Sequence, residues 1–114
     1  MTRYNKGDVI LVPSPFSDQT TTKKRPAVII SSDTYNNISQ DIVIMAITGQ
    51  TRSHIGIGEF LIEDWKGAGL LKSSAVKSAI STIDQRLVTK ILGRFSSKDL
   101  STLGKALKEL LDLR

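Results

Sequence analysis

Lys23-Lys24-Arg25-Pro26-Ala27-Val28-Ile29-Ile30-Ser31-Ser32 sets three cations against the opening of an apolar strand. Asp41-Ile42-Val43-Ile44-Met45-Ala46-Ile47-Thr48 supplies a second, strongly β-branched strand a short connection later. Proline has no backbone donor and forces the preceding residue into an extended conformation, so Pro26 is expected at the first residue of a strand over Ala27 to Ile30. Arg25 is then held extended at the strand mouth, where a guanidinium offers a planar fork of donors suited to phosphate. Three cations at a strand end can equally serve only to solvate it.

The connection Ser32-Asp33-Thr34-Tyr35-Asn36-Asn37 is rich in capping and turn residues and predicts a turn or one helical turn. So short a link implies antiparallel pairing, because a parallel pair needs a longer crossover. The expected register places Ser31 opposite Ile42, Ile29 opposite Ile44, Ala27 opposite Ala46 and Arg25 opposite Thr48. The guanidinium and the threonine hydroxyl would then leave one sheet end on one face, with Cβ atoms about 4.5 to 5.5 Å apart. A slip of one residue would put them on opposite faces.

Outward from this pair, Gly7-Asp8-Val9-Ile10-Leu11-Val12 reads as a short buried strand ended by Pro13. Ser14 to Lys24 is a polar loop holding Ser14, Gln19 and three consecutive threonines, and loops this long are more often functional than idle. Gly49 to Gly58 is a second loop, carrying Gln50, Arg52 and His54, which leaves from the Arg25 end of the sheet. Glu59 to Ile62 predicts a strand, and Glu63 to Leu70 a turn stopped by glycine. Ser73 to Ile83 predicts a loosely alternating strand, and Leu87 to Gly93 a strand or short helix. The last element is a helix with Ser96 as N-cap and Asp99 as a short-armed capping-box partner. Leu100, Leu103, Leu107, Leu110 and Leu111 recur along it at helical spacing, a stripe more often used for core packing than for a partner. The expected fold class is α+β or mainly β: a small, strongly curved antiparallel sheet or partly open barrel with short helices and a C-terminal helix packed on it.

At 114 residues the chain is expected to form a single domain, 1–114. It has no cysteine for a disulfide framework and only one histidine, so no zinc cluster is expected, and oxygen-ligand metal binding has no motif. The start lacks the apolar core of a signal peptide and the longest apolar run is too short to span a bilayer, so a cytoplasmic protein without membrane association is expected. A net charge of +5 and a pI near 9.7 favour polyanionic partners, either nucleic acid or an acidic protein.

The ordered set Gly7-Asp8-Val9, Arg25-Pro26-Ala27-Val28-Ile29-Ile30-Ser31, Ala46-Ile47-Thr48-Gly49-Gln50, Gly69-Leu70 with Ser73-Ser74-Ala75-Val76, and Thr82-Ile83-Asp84-Gln85-Arg86-Leu87 resembles the MazF/PemK family. The likeness runs from Lys6 into the final helix. It implies an SH3-like, CcdB/MazF-type barrel and the toxin of a type II toxin–antitoxin pair. Such a toxin is a homodimeric, metal-independent endoribonuclease that needs no cofactor. It would cleave single-stranded RNA by 2′-hydroxyl attack, leaving 2′,3′-cyclic phosphate and 5′-hydroxyl ends. Its partners would be the RNA substrate and a cognate antitoxin, with DNA reached at most through the toxin–antitoxin complex.

By the resemblance, the catalytic pair falls on Arg25 and Thr48, and the RNA groove is lined by the two loops. Lys23, Lys24, Gln50, Arg52, Ser14 and Gln19 are the candidate RNA-binding residues, and His54 is a candidate acid or base, although a lone loop histidine is more often incidental. Trp65 and Tyr35 can stack on bases, with packing the more usual role. The chain departs from some members at Lys77-Ser78-Ala79, where they carry a polar or acidic residue, and this bears on base specificity. A non-catalytic toxin of the CcdB type, which inhibits gyrase and would use the C-terminal helix, and a degenerate member that binds RNA or antitoxin without cutting, remain as alternatives.

Overall fold

The computed structural model describes residues 2–13, 23–51 and 55–114. In chain order the elements are β1 (Asp8–Pro13), β2 (Lys24–Ile29), α1 (Asp33–Ile38), β3 (Asp41–Thr48), β4 (Phe60–Leu61), β5 (Ala75–Asp84), a 3-10 turn (Gln85–Leu87), β6 (Lys90–Arg94) and α2 (Ser97–Leu111). The strands form one antiparallel sheet in the order β4-β5-β3-β2-β1-β6. It curls as a half-barrel, and the turn after β4 reaches across to the opposite edge strand, β6. A Cβ on Gly93 would lie 2.6 Å from the carbonyl carbon of Ala68, and one on Gly69, where φ is +78°, would lie 2.0 Å from the carbonyl oxygen of Leu92. Two glycines therefore permit backbone-to-backbone contact at the seam.

Both faces of the central strands are buried, which is why β1 to β3 read as nearly continuous apolar runs. Val9, Val28, Met45, Ile47 and Val76 pack on one side with Phe60, Phe95 and Leu103 of α2. Ile10, Val12, Ala27, Ile29, Ile42, Ile44 and Ile83 form a second cluster on the other side, joined by Tyr4 and Val88. Along α2, Leu103 is buried and Leu100, Ala106, Leu107 and Leu110 pack against the first cluster, whereas Leu111 is exposed rather than part of the stripe.

The β2–β3 register is the expected one: Ala27 opposes Ala46, Val28 opposes Met45 and Ile29 opposes Ile44. The strand itself starts earlier than expected, at Lys24, which makes Pro26 its third residue. Hydrogen-bond alternation explains both facts. Ile30 donates to the carbonyl of Val43, so the even-numbered amides of β2 point to β3, while the Ile29 carbonyl points the other way and accepts from Gly7. The missing amide of Pro26 is one that would have served β3. The ladder to β3 accordingly stops at Ala27, while the ladder to β1 continues through Pro26 and Arg25 to Lys24.

Three other expectations are corrected. β4 shrinks to Phe60–Leu61, and the Leu87 to Gly93 stretch divides into the end of a 3-10 turn and a strand. Ser96 does cap α2, its Oγ accepting from the Asp99 amide, but Asp99 does not reach back in a capping box. Its buried carboxylate instead accepts from the amides of Glu63 and Asp64, each at 2.9 Å, and from Ser96 Oγ at 3.3 Å. The start of α2 is thereby fastened to the turn that closes the half-barrel. Among the described residues no helix is long and apolar enough to cross a membrane.

Candidate functional site

Arg25 pairs with Val12 on β1, and the unbroken β1–β2 ladder keeps it on the face of Ala27 and Ile10. Thr48 ends β3 two residues beyond Ala46, the partner of Ala27. Strand alternation therefore leaves Arg25 and Thr48 on one face and at one end of the sheet, beyond the point where Pro26 stops the β2–β3 ladder. Arg25 is exposed and Thr48 half-buried. Thr48 Oγ1 accepts a 3.1 Å hydrogen bond from the Gln50 amide. A hydroxyl has one proton and two acceptor positions. The turn thus occupies one acceptor position of the hydroxyl, for which no donated hydrogen bond occurs among the described residues.

Of the other expected site residues, Lys23 and Lys24 are exposed beside Arg25. Lys24 pairs with Pro13 and, by alternation, falls on the opposite face from Arg25. Gln50 is exposed and joins the site through its backbone. Ser14, Gln19, Arg52 and His54 lie outside the described residues. Tyr35 sits on α1 at the other end of β3, roughly 23 Å away along seven residues of strand. Trp65 packs against the core cluster, with Lys66 Nζ 5.5 Å from its ring centroid.

One residue near this end was not singled out by sequence reasoning. Glu59, just before β4, accepts through Oε1 from the Gly56 amide at 3.0 Å, and through Oε2 from the Ser78 amide at 3.2 Å and Ser78 Oγ at 3.3 Å. Lys77 Nζ is 3.4 Å from the same oxygen. The Gly56 bond first, then the Ser78 amide and Lys77, hold this carboxyl below the usual carboxylate range against the opposing effect of burial. An acidic residue directly after a glycine-rich loop was the available signal.

The opposite end of the sheet carries an open concavity of about 740 Å³, lined by residues that include Arg3, Asn36, Gln40, Asp84, Gln85 and Arg86. Gln85, Arg86 and Asp84 in its lining are engaged by protein partners. Gln85 Nε2 donates to the carbonyls of Asn36, Ser39 and Asp41, and Arg86 donates through Nε to Asp84 Oδ1 and through Nη2 to Asp84 Oδ2, which lowers the Asp84 pKa. These contacts tie the 3-10 turn to α1 and β3. No group of three or more acidic, histidine or cysteine residues able to hold a metal occurs among the described residues.

A family model described as "PemK-like, MazF-like toxin of type II toxin-antitoxin system" matches residues 5–111. Curated proteins give no match. Among solved structures, an endoribonuclease in complex with its cognate antitoxin from a Mycobacterial species is 17% identical with a TM-score of 0.76, covering 100% of this chain and 98% of that one. MazF from Deinococcus radiodurans is 16% identical with a TM-score of 0.75, covering 98% and 99%. The Mycobacterium tuberculosis toxin MazF-mt6 is 18% identical with a TM-score of 0.74, covering 94% and 98%. At these identities the structures establish a common fold. Together with the match along nearly the whole sequence, the curled six-stranded sheet and its terminal helix place this chain in the PemK/MazF family of type II toxin–antitoxin toxins.

Proposed function

We propose that the protein is a metal-independent endoribonuclease that cuts single-stranded RNA, acts as a homodimer and is neutralised by a cognate antitoxin. The observation that carries this is the placement of Arg25 and the Thr48 hydroxyl on one face, at the sheet end where the β3–β4 loop begins. In the proposed reaction the ribose 2′-hydroxyl gives its proton to a general base as its oxygen attacks phosphorus and forms a P–O2′ bond, the P–O5′ bond breaks, and the leaving 5′-oxygen takes a proton from a general acid, so that no net proton is consumed. Negative charge gathers on the phosphoryl oxygens, where a guanidinium fork and a hydroxyl proton stabilise it more than the ground state. Lys23, Lys24 and Arg52 position phosphates, while Ser14, Gln19 and Gln50 contact the RNA strand. Base selection would use splayed, unpaired nucleotides.

A guanidinium is permanently charged and a poor general base, so Arg25 acts as a clamp or an acid. His54 is the candidate for proton transfer, because an imidazole with an ordinary pKa of about 6.5 titrates in the working range. If it serves, the pH–rate profile has a limb near neutrality that His54→Gln removes. A profile without that limb, unchanged in the variant, eliminates the role.

The binding-only reading is favoured by a different feature. An apolar groove of about 420 Å³ lies between α2 and the sheet, lined by residues that include Ile30, Val43, Leu107, Leu111 and Leu113. Incubating the purified protein with a long single-stranded RNA in EDTA separates the two. Fragments ending in 2′,3′-cyclic phosphate and 5′-hydroxyl support the nuclease, and an intact substrate refutes it in favour of a docking toxin or a degenerate member that binds RNA or antitoxin without cutting.

A further inference from the structure

β5 opposes Met45 with Ile80 but opposes Ile47 with Val76. Lys77, Ser78 and Ala79 therefore all stand against Ala46 alone, and the surplus residues carry backbone groups that regular pairing with β3 does not serve. The neighbour of this segment across the ladder, Ala46, lies two residues before Thr48 and opposite Ala27, itself two residues after Arg25. Irregular strand segments next to functional sites commonly re-aim side chains.

Glu59 is the group that fixes it. One carboxylate, only 12% exposed, takes the Ser78 amide and hydroxyl and the Lys77 ammonium on one oxygen, and the Gly56 amide on the other. It thus joins two segments: Ile55 to Gly58, by which the chain returns from Gln50 to β4, and the irregular part of β5 beside the Thr48 strand. The two backbone amides sit on opposite oxygens, so a neutral amide in its place keeps one acceptor and turns an NH2 donor toward the other.

Resting on the nuclease reading, we infer that Glu59 is a positioning residue that sets the Ile55–Gly58 segment and Lys77–Ser78 together as a wall of the RNA groove, and so determines which bases beside the cut phosphate are accepted. Arg25 and Thr48 hold the reacting phosphate, and the Glu59 clip holds the surface against which the flanking bases rest. The clip is intact while the carboxyl is ionised. Because its folded pKa is lowered, the contribution is fully present above the ordinary carboxylate value of about 4.3 and is lost only as pH falls through the lower, folded value.

The test measures kcat, KM and the sequence distribution of cuts on a long single-stranded RNA for wild type, Glu59→Gln and the double variant Lys77→Ala/Ser78→Ala. The double variant changes two exposed residues and keeps the core intact. Glu59→Gln is expected to raise KM about ten-fold with kcat within about two-fold, and to broaden the set of sites cut. The double variant is expected to shift both in the same direction by a smaller factor. The wild-type KM stays flat from pH 8 down to about 4.3 and rises only below that value, whereas Glu59→Gln has no such rise. A purely structural role would lower thermal stability without redistributing the cuts. If wild type cleaves while both variants retain its KM and cut pattern, the inference is overturned and the nuclease reading stands. If wild type itself does not cleave, the nuclease reading fails and takes this inference with it.

Discussion

Replacing Arg25 by alanine separates chemistry from folding, because the side chain is exposed and its backbone remains engaged with Val12 of β1. Removing one preorganised donor from a developing oxyanion typically costs about 2.7 to 4 kcal/mol, or ~10² to 10³ in kcat. A charged fork acting on a phosphoryl group belongs at the upper end of that range or beyond it. The structural cost is much smaller. No buried contact is lost, and exposed substitutions away from special features usually stay within about 0.5 kcal/mol, or roughly 2 to 4 °C in a domain near this size. The assay is single-turnover cleavage of a labelled single-stranded RNA in EDTA, with thermal unfolding of the same samples. Arg25→Ala should lose at least ~10²-fold in rate and melt within a few degrees of wild type. Arg25→Lys should recover part of the rate, since an ammonium keeps the charge but not the bidentate geometry. A cleavage rate for Arg25→Ala within three-fold of wild type would refute the assignment, whatever the behaviour of Arg25→Lys.

Thr48→Val keeps the β-branched shape at the end of β3 but removes both the acceptor for the Gln50 amide and the hydroxyl proton. Cleavage should fall by about 10²-fold with little change in melting, and a rate equal to wild type excludes the hydroxyl from the reaction. Asp99→Ala, far from the chemistry, strips acceptors from the Glu63 and Asp64 amides and from Ser96 Oγ. It should destabilise the protein by about 2 to 4 kcal/mol in denaturant titration, and a loss below about 1 kcal/mol would mean that water replaces the carboxylate freely.

The central hairpin was legible because two independent signals agreed: apolar runs rich in β-branched residues, and a connection too short for anything but antiparallel pairing. That pair also set where the candidate residues stand, since a register correct at Ala27 and Ala46 fixes the faces of Arg25 and Thr48. The missed features depend on distant partners. Asp99 looks like a local cap from its spacing to Ser96, yet its hydrogen bonds go to a turn 35 and 36 residues away. Ser73 to Ile83 alternates poorly because the strand contains surplus residues, and a periodicity of two cannot survive them. Glu59 read as the first residue of a strand, since nothing local reveals that the unserved amide it meets lies nineteen residues on.

The position of Pro26 links the fold to the site more directly than the cations around it. A β2–β3 ladder carried to the strand ends would join Pro26 to Ile47 by backbone hydrogen bonds and close the space between Arg25 and Thr48. The absent amide falls on the β3 side alone, so β2 keeps its full pairing with β1 while its last contact with β3 is Ala27–Ala46. Arg25 is therefore supported from one side and released on the other. On the proposed nuclease reading, a cation at that position combines a fixed backbone with an unpaired edge on the face and at the sheet end that Thr48 shares. Those are the two conditions that stabilising a transferred phosphoryl group demands, and they require low reorganisation together with room for the ligand. A loop residue would supply the room without the rigidity, and a residue inside an unbroken ladder would supply the rigidity without the room.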